Sequence, residues 1–327
     1  MHRSRWMWLS IVALLLASPA LADEPKQGAR MLFVTYSGGF RHGSVTRPYD
    51  KLKPEERAKI PPADLLKMRG PGGELSVAER AMTNLGISSS RFRVDCTQNP
   101  GQDLTKENLQ NYQIVMFYTT GPRKAWADVS DATFEYFLGD WLKQPGHGFI
   151  GAHSAADTLG DYEPYWDMIG GTFNGHPWGS GDTVTITVHD QKHPVSKVWP
   201  AELTLKDEIY RFRHWQPEKV RVLMSLDMSK TAKKADYHVP IAWVKEYGQG
   251  KAMHMSLGHR EDVWENPTYM QSMLGGVEWI LGIQPGDATP NPDLSSAQEA
   301  KAKADYAAAV AAGDKGVLVE KKVEKKK

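Results

Sequence analysis

Along the first half of the chain, short apolar runs alternate with amphipathic stretches. Met31-Leu-Phe-Val-Thr-Tyr36 ends in Ser37-Gly-Gly39, which predicts a buried strand running into a glycine loop. Further strands are predicted at 92–96, at 114–118, which is apolar on both faces as a central parallel strand must be, and at 149–152. Between them, Ser76-Val-Ala-Glu79 is a capping box opening a helix to about Gly86. A short helix is expected at 105–109, and Ser130 caps another whose Phe134, Phe137, Leu138 and Trp141 recur at helical spacing. Residues 47–73 lack periodicity and read as an insertion or long surface loop. Strand–helix alternation predicts a parallel sheet with helices on both faces, its strand C-termini on one rim.

The second half is richer in strands. Segments 183–188, 221–226, 241–244 and 252–257 read as antiparallel additions, the last two flanking the turn Tyr247-Gly-Gln-Gly250. Asn266-Pro267 starts a helix whose apolar face is Met270, Met273, Leu274, Val277, Ile280 and Leu281, ending at Gly282. The compact domain is therefore assigned to 23–285. Residues 286–327, with Ala/Lys/Glu repeats, read as a frayed helix and a solvated Ala/Lys-rich tail.

The N-terminus changes the picture. Arg3 and Arg5 precede an apolar stretch and Ser18-Pro-Ala-Leu-Ala22, so 1–22 is expected to be a signal peptide cleaved near Ala22, leaving an exported periplasmic or secreted protein. No later segment reaches the ~20 apolar residues of a membrane span. With 41% hydrophobic residues, 11 Trp and 12 Tyr, the chain can build a substantial core, and its single cysteine, Cys96, allows no internal disulfide. A net charge of +1 with interspersed signs gives no footprint for nucleic acid. Oligomeric state is left open, a homo-oligomer included.

The sharpest chemical signal is Gly148-Phe-Ile-Gly-Ala-His153-Ser-Ala-Ala-Asp157. A strand ending in Gly-x-His among small residues resembles a nucleophile elbow, with His153 projecting into the cleft of an open α/β sheet; the alternative is a His that only bonds a neighbouring loop. Together with Gly39-Phe-Arg-His42, Gly175-His-Pro-Trp178, His193-Pro194, Asp207-Glu-Ile-Tyr210, Pro240-Ile-Ala-Trp243 and Ser256-Leu-Gly-His259 followed by Trp264, in this order, the chain from Met31 to Gly282 resembles the ThuA-like (trehalose utilisation) family. The resemblance implies a flavodoxin-like fold of the class I glutamine amidotransferase-like group, and a link to the catabolism of disaccharides and 3-keto sugars. Glutamine hydrolysis itself is not expected, because that chemistry needs a thiolate at the elbow and this chain has His153 there.

Four of the imidazoles in these motifs are candidate ligands. His42, His153, His176 and His259 could meet at the rim and hold zinc or another divalent transition metal, although no HxH or HExxH spacing is present, and a metal-free sugar site stays open. Glu208 is the candidate carboxylate that orients an imidazole or acts as base; otherwise it pairs with Arg211 or Arg213 at the surface. Asp157 is a second catalytic candidate or a helix cap. For binding a small carbohydrate or keto-sugar the candidates are Phe40, Ser154, Trp178, Tyr210 and Trp264, with Trp178 as the stacking platform and Trp243 as core. The expected activity is a sugar lyase, isomerase or hydrolase using His/Glu acid–base or metal-assisted chemistry. A non-catalytic carbohydrate-binding or scaffold protein is the competing reading.

Overall fold

The computed structural model describes residues 28–318, so the expected leader and its cleavage point lie outside the described residues. Eleven strands follow in chain order: β1 (Ala29–Val34), β2 (Phe92–Thr97), β3 (Ile114–Phe117), β4 (Gly148–Ala152), β5 (Thr172–Phe173), β6 (Thr183–Val188), β7 (Glu202–Lys206), β8 (Phe212–Arg213), β9 (Arg221–Leu226), β10 (Pro240–Tyr247) and β11 (Gly250–Met255). Nine form one sheet in the order β2-β1-β3-β4-β11-β10-β9-β6-β7, and β5 pairs with β8 apart from it. The first five in that order are mutually parallel, and β10, β9, β6 and β7 continue antiparallel. With β11 as the fifth strand, the parallel part has the 2-1-3-4-5 order of flavodoxin-like folds. The sequence reading of β11 is only half right: it forms the expected hairpin with β10 and also closes the parallel array against β4.

Alternation along β1 shows why helices cover both faces. Met31 and Phe33 point into one apolar cluster, and Leu32 and Val34 into the other. The first cluster includes residues of the helices Val77–Ser89 and Pro267–Ile280; the second takes Phe134, Phe137, Leu138 and Trp141 from the segment 131–141. The helix Pro267–Ile280 begins as expected, Asn266 Oδ1 accepting from the backbone N–H of Thr268 at 2.9 Å and of Tyr269 at 3.4 Å. Asn266→Ala should cost about 1 kcal/mol of stability, measured by urea denaturation, with unchanged circular dichroism.

Two segments differ from the sequence reading. Residues 47–73 carry a 3-10 turn at Pro48–Lys51 and helices at Pro54–Arg57 and Pro62–Arg69, each with proline in its first turn, where the missing N–H is not needed. They were hidden because the longest of them buries no side chain and so shows no apolar stripe. The supposed tail holds a 20-residue helix, Pro292–Ala311, which buries Ser295, Ala302 and Ala309. Its contact residues are small, so the helix lies close to β9, and the chain beyond it bridges Lys234 through Val317. Among the described residues no helix is long and apolar enough to cross a membrane.

Candidate metal centre at the strand rim

Three of the four candidate imidazoles follow C-terminal ends of strands in the parallel part of the sheet: His42 after β1, and His153 and His259 after the adjacent strands β4 and β11, with β3 between the first two positions. Ligand crevices of open α/β sheets form at this rim. His153 adopts φ +41°, a left-handed conformation for a residue with a side chain, between buried small neighbours. Gly151 is required beneath it, because a Cβ there would meet His254 Nδ1 at 2.8 Å and Ala155 Cβ at 3.1 Å. A strained non-glycine residue held this firmly at a rim is characteristic of a functional turn.

The rings of His42, His153 and His259 lie 4.9 to 5.3 Å apart, each nearly perpendicular to the other two. Glu208 approaches from the antiparallel half of the chain. Its Oε2 lies 3.4 Å from His153 Nε2 and 3.0 Å from His259 Nδ1, while His176 Nδ1 lies 3.3 Å from Oε1. One ligand atom from each of His42, His153, Glu208 and His259 falls within 4.8 Å of all the others. Glu208 therefore faces imidazoles rather than pairing with Arg211 or Arg213. It replaces His176 in the predicted ligand set; His176 is half-exposed and touches the other carboxylate oxygen.

The surroundings fix this arrangement. The Ser256 carbonyl accepts from His153 Nδ1–H at 2.8 Å, which leaves the Nε2 lone pair facing the centre. Burial, followed by the charges of His153 and His259, pushes His42 down to about 2, so its imidazole is neutral. Burial would raise the Glu208 carboxyl, but in the metal-free centre a proton on His153 or His259 outweighs it, by donation and by charge, and holds the group well below the usual carboxylate range. His42 Nδ1, His153 Nε2 and His259 Nδ1 are buried without a well-directed hydrogen bond. Three orphaned imidazole nitrogens converging with one carboxylate oxygen could hold a metal ion. This donor set suits zinc or a similar divalent transition metal better than calcium or magnesium, which take oxygen ligands.

Asp207, beside Glu208, has a different task. Its carboxylate accepts from the backbone N–H of Gly258 at 2.7 Å and of Arg260 at 3.1 Å, clamping the loop that carries His259. The Gly258 carbonyl in turn accepts from Tyr118 Oη at 2.9 Å and Trp264 Nε1 at 2.8 Å. Trp264 is thus buried, stacked on Tyr118, and not a sugar platform. Trp178 is also fully buried: its Nε1 donates to the Lys233 carbonyl, and its backbone bridges Ile209 to hold the Glu208 segment. Trp243 is core, as expected, its Nε1 donating to the Ile169 carbonyl. Tyr210 is buried against the His153 ring, with its hydroxyl 3.5 Å from His42 Nε2, and so positions imidazoles rather than meeting solvent. Ser154 is fully buried as well.

Phe40 differs from these in being 65% exposed, with its ring edge-on to His42. Asp157 ends the turn after His153 rather than starting a helix, and it lines a cleft of about 220 Å³ with Gly39, Gly121, Gly160, Phe173 and Arg213. Burial pushes its carboxyl up to about 6 despite the opposing charges of His153 and Arg213. Phe173, Arg213, Asp207 and Tyr118 escaped assignment as site residues. Tyr118 was discoverable, since it ends the predicted third strand on the functional rim, whereas Phe173 and Arg213 lie on two-residue strands with no period to read. Cys96 is buried in β2, where burial pushes its thiol up, so it cannot serve as a thiolate nucleophile.

A family model described as trehalose utilisation, ThuA, matches residues 64–280. Among solved structures, a ThuA-like protein from Bacteroides uniformis superposes with a TM-score of 0.54 at 18% identity, covering 84% of this chain and 98% of its own. A ThuA-like protein from Parabacteroides merdae does so with a TM-score of 0.53 at 16% identity, covering 81% and 98%. Both likenesses concern the fold. A search of curated proteins found no match to this sequence.

Proposed function

Because the chain belongs to the ThuA family of carbohydrate utilisation, we propose that it is an exported enzyme acting on a glycoside or 3-keto-sugar at a metal centre formed by His42, His153, Glu208 and His259. The observation that carries this reading is the convergence of four ligand atoms within 4.8 Å at the strand rim. A bound divalent metal would polarise a sugar oxygen, acidifying a C–H beside a carbonyl. The chain's own groups then hold the substrate and move its protons. Asp157 faces the cleft as the group that can give or take a proton, and Glu208, held by His176 on its other oxygen, keeps the imidazoles in place. Elimination or isomerisation suits this set better than direct hydrolysis by two opposed carboxylates, because Glu208 is committed to the imidazoles. The leader expected over residues 1–22 is what favours export in this reading.

The test is elemental analysis of the purified mature protein, followed by NMR-monitored assays on trehalose, glycosides and their 3-keto derivatives. One equivalent of transition metal and turnover of a keto-sugar are expected. Sugar binding without turnover in the metal-loaded protein would replace the enzyme by a binding protein, and a metal-free protein would sink the metal centre. Asp207→Ala should lower metal affinity by roughly 10–100-fold while leaving the fold intact, since it frees the His259 loop without touching a ligand atom. Competition with a chromogenic chelator measures this directly.

A further inference from the structure

The cleft beside the imidazole centre is built from two sides. Gly39, Gly121 and Pro122 come from loops after β1 and β3, and Asp157, Gly160, Thr172, Phe173 and Arg213 from the segment after β4 and the antiparallel β5–β8 pair. Glycine keeps it open: a Cβ on Gly160 would meet Arg213 Nη2 at 3.0 Å, and Gly121 has φ +111° with a Cβ position 2.8 Å from the Gly38 carbonyl carbon. Phe173 is half-buried and fixed in orientation, edge-on to Tyr210 at 4.6 Å and stacked with His176 at 6.0 Å. Among the described residues, the Asp157 carboxylate and the Arg213 guanidinium make no side-chain hydrogen bond, yet both line this cavity.

We propose that this cleft is the subsite for one neutral terminal sugar ring, with Phe173 as its apolar wall and Asp157 and Arg213 as its hydroxyl contacts. The proposal deepens the function above and rests on it for the identity of the ligand as a sugar. A carboxylate accepts hydrogen bonds and a guanidinium only donates, so the pair suits hydroxyls, which do both. An acidic sugar would gain Arg213 but face Asp157 and Asp161, both of which line the cleft. Size sets the mode of binding. About 220 Å³ falls below the ~300–1,000 Å³ of sites for drug-sized ligands, so one ring enters and the remainder of a glycoside points to solvent. The apolar face of that ring lies on Phe173, in the part assigned by sequence to Trp178.

Isothermal titration of the metal-loaded protein tests this with a panel of glucose, galactose, mannose, xylose, their methyl glycosides, trehalose, maltopentaose and glucuronate. At least one neutral sugar is expected to bind and glucuronate to bind more weakly, with maltopentaose gaining no more than about threefold over the corresponding methyl glycoside. Phe173→Ala should weaken binding about tenfold, as for a lost aromatic contact, and Arg213→Ala should also weaken it. Gly160→Ala, whose new methyl meets only the flexible end of Arg213, should narrow the cleft and weaken binding with the fold intact. No binding by any neutral sugar, a preference for glucuronate, a large gain for maltopentaose, or insensitivity to Phe173→Ala would overturn the subsite. Metal content is measured on the same samples. A metal-free protein that still binds sugar through Phe173 would refute the metal centre and keep the subsite, while a metal-loaded, active enzyme indifferent to Phe173→Ala would do the reverse.

Discussion

Glu208→Gln is expected to empty the centre of metal and abolish turnover while the protein remains folded. Glu208 is the only carboxylate among the four converging ligands, so its charge does most to offset that of a divalent ion. The amide keeps the shape but loses that charge, and its NH₂ group cannot donate an electron pair to a cation. Loss of a direct ligand should exceed the ~10–100-fold cost of disturbing a residue that merely orients one, so a fall of more than about 100-fold in metal affinity is expected. Stability should change little, because Glu208 lies at the rim of the sheet and, among the described residues, its carboxylate pairs with imidazoles only. Metal content by mass spectrometry and thermal melting of the apo forms read the two effects separately. Retention of a full equivalent of metal by Glu208→Gln would show that the imidazoles bind without the carboxylate and would remove Glu208 from the site.

The convergence of His42, His153 and His259 was legible because each follows a short apolar run, and parallel strands place all such ends on one rim. What the sequence could not show was depth. Trp178 sits in a Gly/Pro loop, the usual signature of an exposed position, yet its indole N–H finds the Lys233 carbonyl inside the protein. Trp264 is likewise satisfied by the Gly258 carbonyl. An indole with an internal acceptor can be fully buried without an unsatisfied donor, and nothing in local sequence announces where that acceptor will be. His176 belongs to the same motif as Trp178 but sits one contact outside the ligand set, because Glu208 arrives from β7 and interposes its carboxylate. A helix was expected near Pro292–Ala311, but its packing against β9 was not legible for a related reason: its buried positions are alanines and a serine, which carry little apolar signal but allow close approach.

The largest stability effect is expected away from the centre, at Glu79→Ala. Glu79 closes the capping box of the helix Val77–Ser89, its Oε2 accepting from Ser76 N–H at 2.8 Å. The same carboxylate accepts from Thr35 Oγ1 at 2.6 Å and from Arg47 Nη2 at 2.7 Å, with both charged side chains wholly buried. Arg47 Nε also donates to Glu79, at 2.8 Å, and the other guanidinium donors go to the carbonyls of Met68, Gly70 and Cys96, so one guanidinium joins β2, the helical insertion 48–69 and the helix Val77–Ser89. Removing the carboxylate leaves a guanidinium that can neither lose its proton nor reach water, and breaking a buried pair in this way costs about 3–5 kcal/mol. Replacing both partners, as Arg47→Met with Glu79→Leu, should recover much of that loss, because the desolvation of the charges disappears along with their attraction. Urea denaturation of the single and double variants measures this. A single-variant loss below about 1 kcal/mol would mean that the guanidinium reaches solvent by rearranging the insertion. The consequence extends to the site, since the turn between His42 and Arg47 is held at both ends: Thr46 Oγ1 donates to the His42 carbonyl at 2.8 Å, and Ser44 Oγ lies 2.7 Å from Tyr118 Oη. Glu79→Ala should therefore weaken metal binding modestly as well as stability, whereas Glu208→Gln affects binding alone, and that difference separates the fold's anchor from the centre it supports.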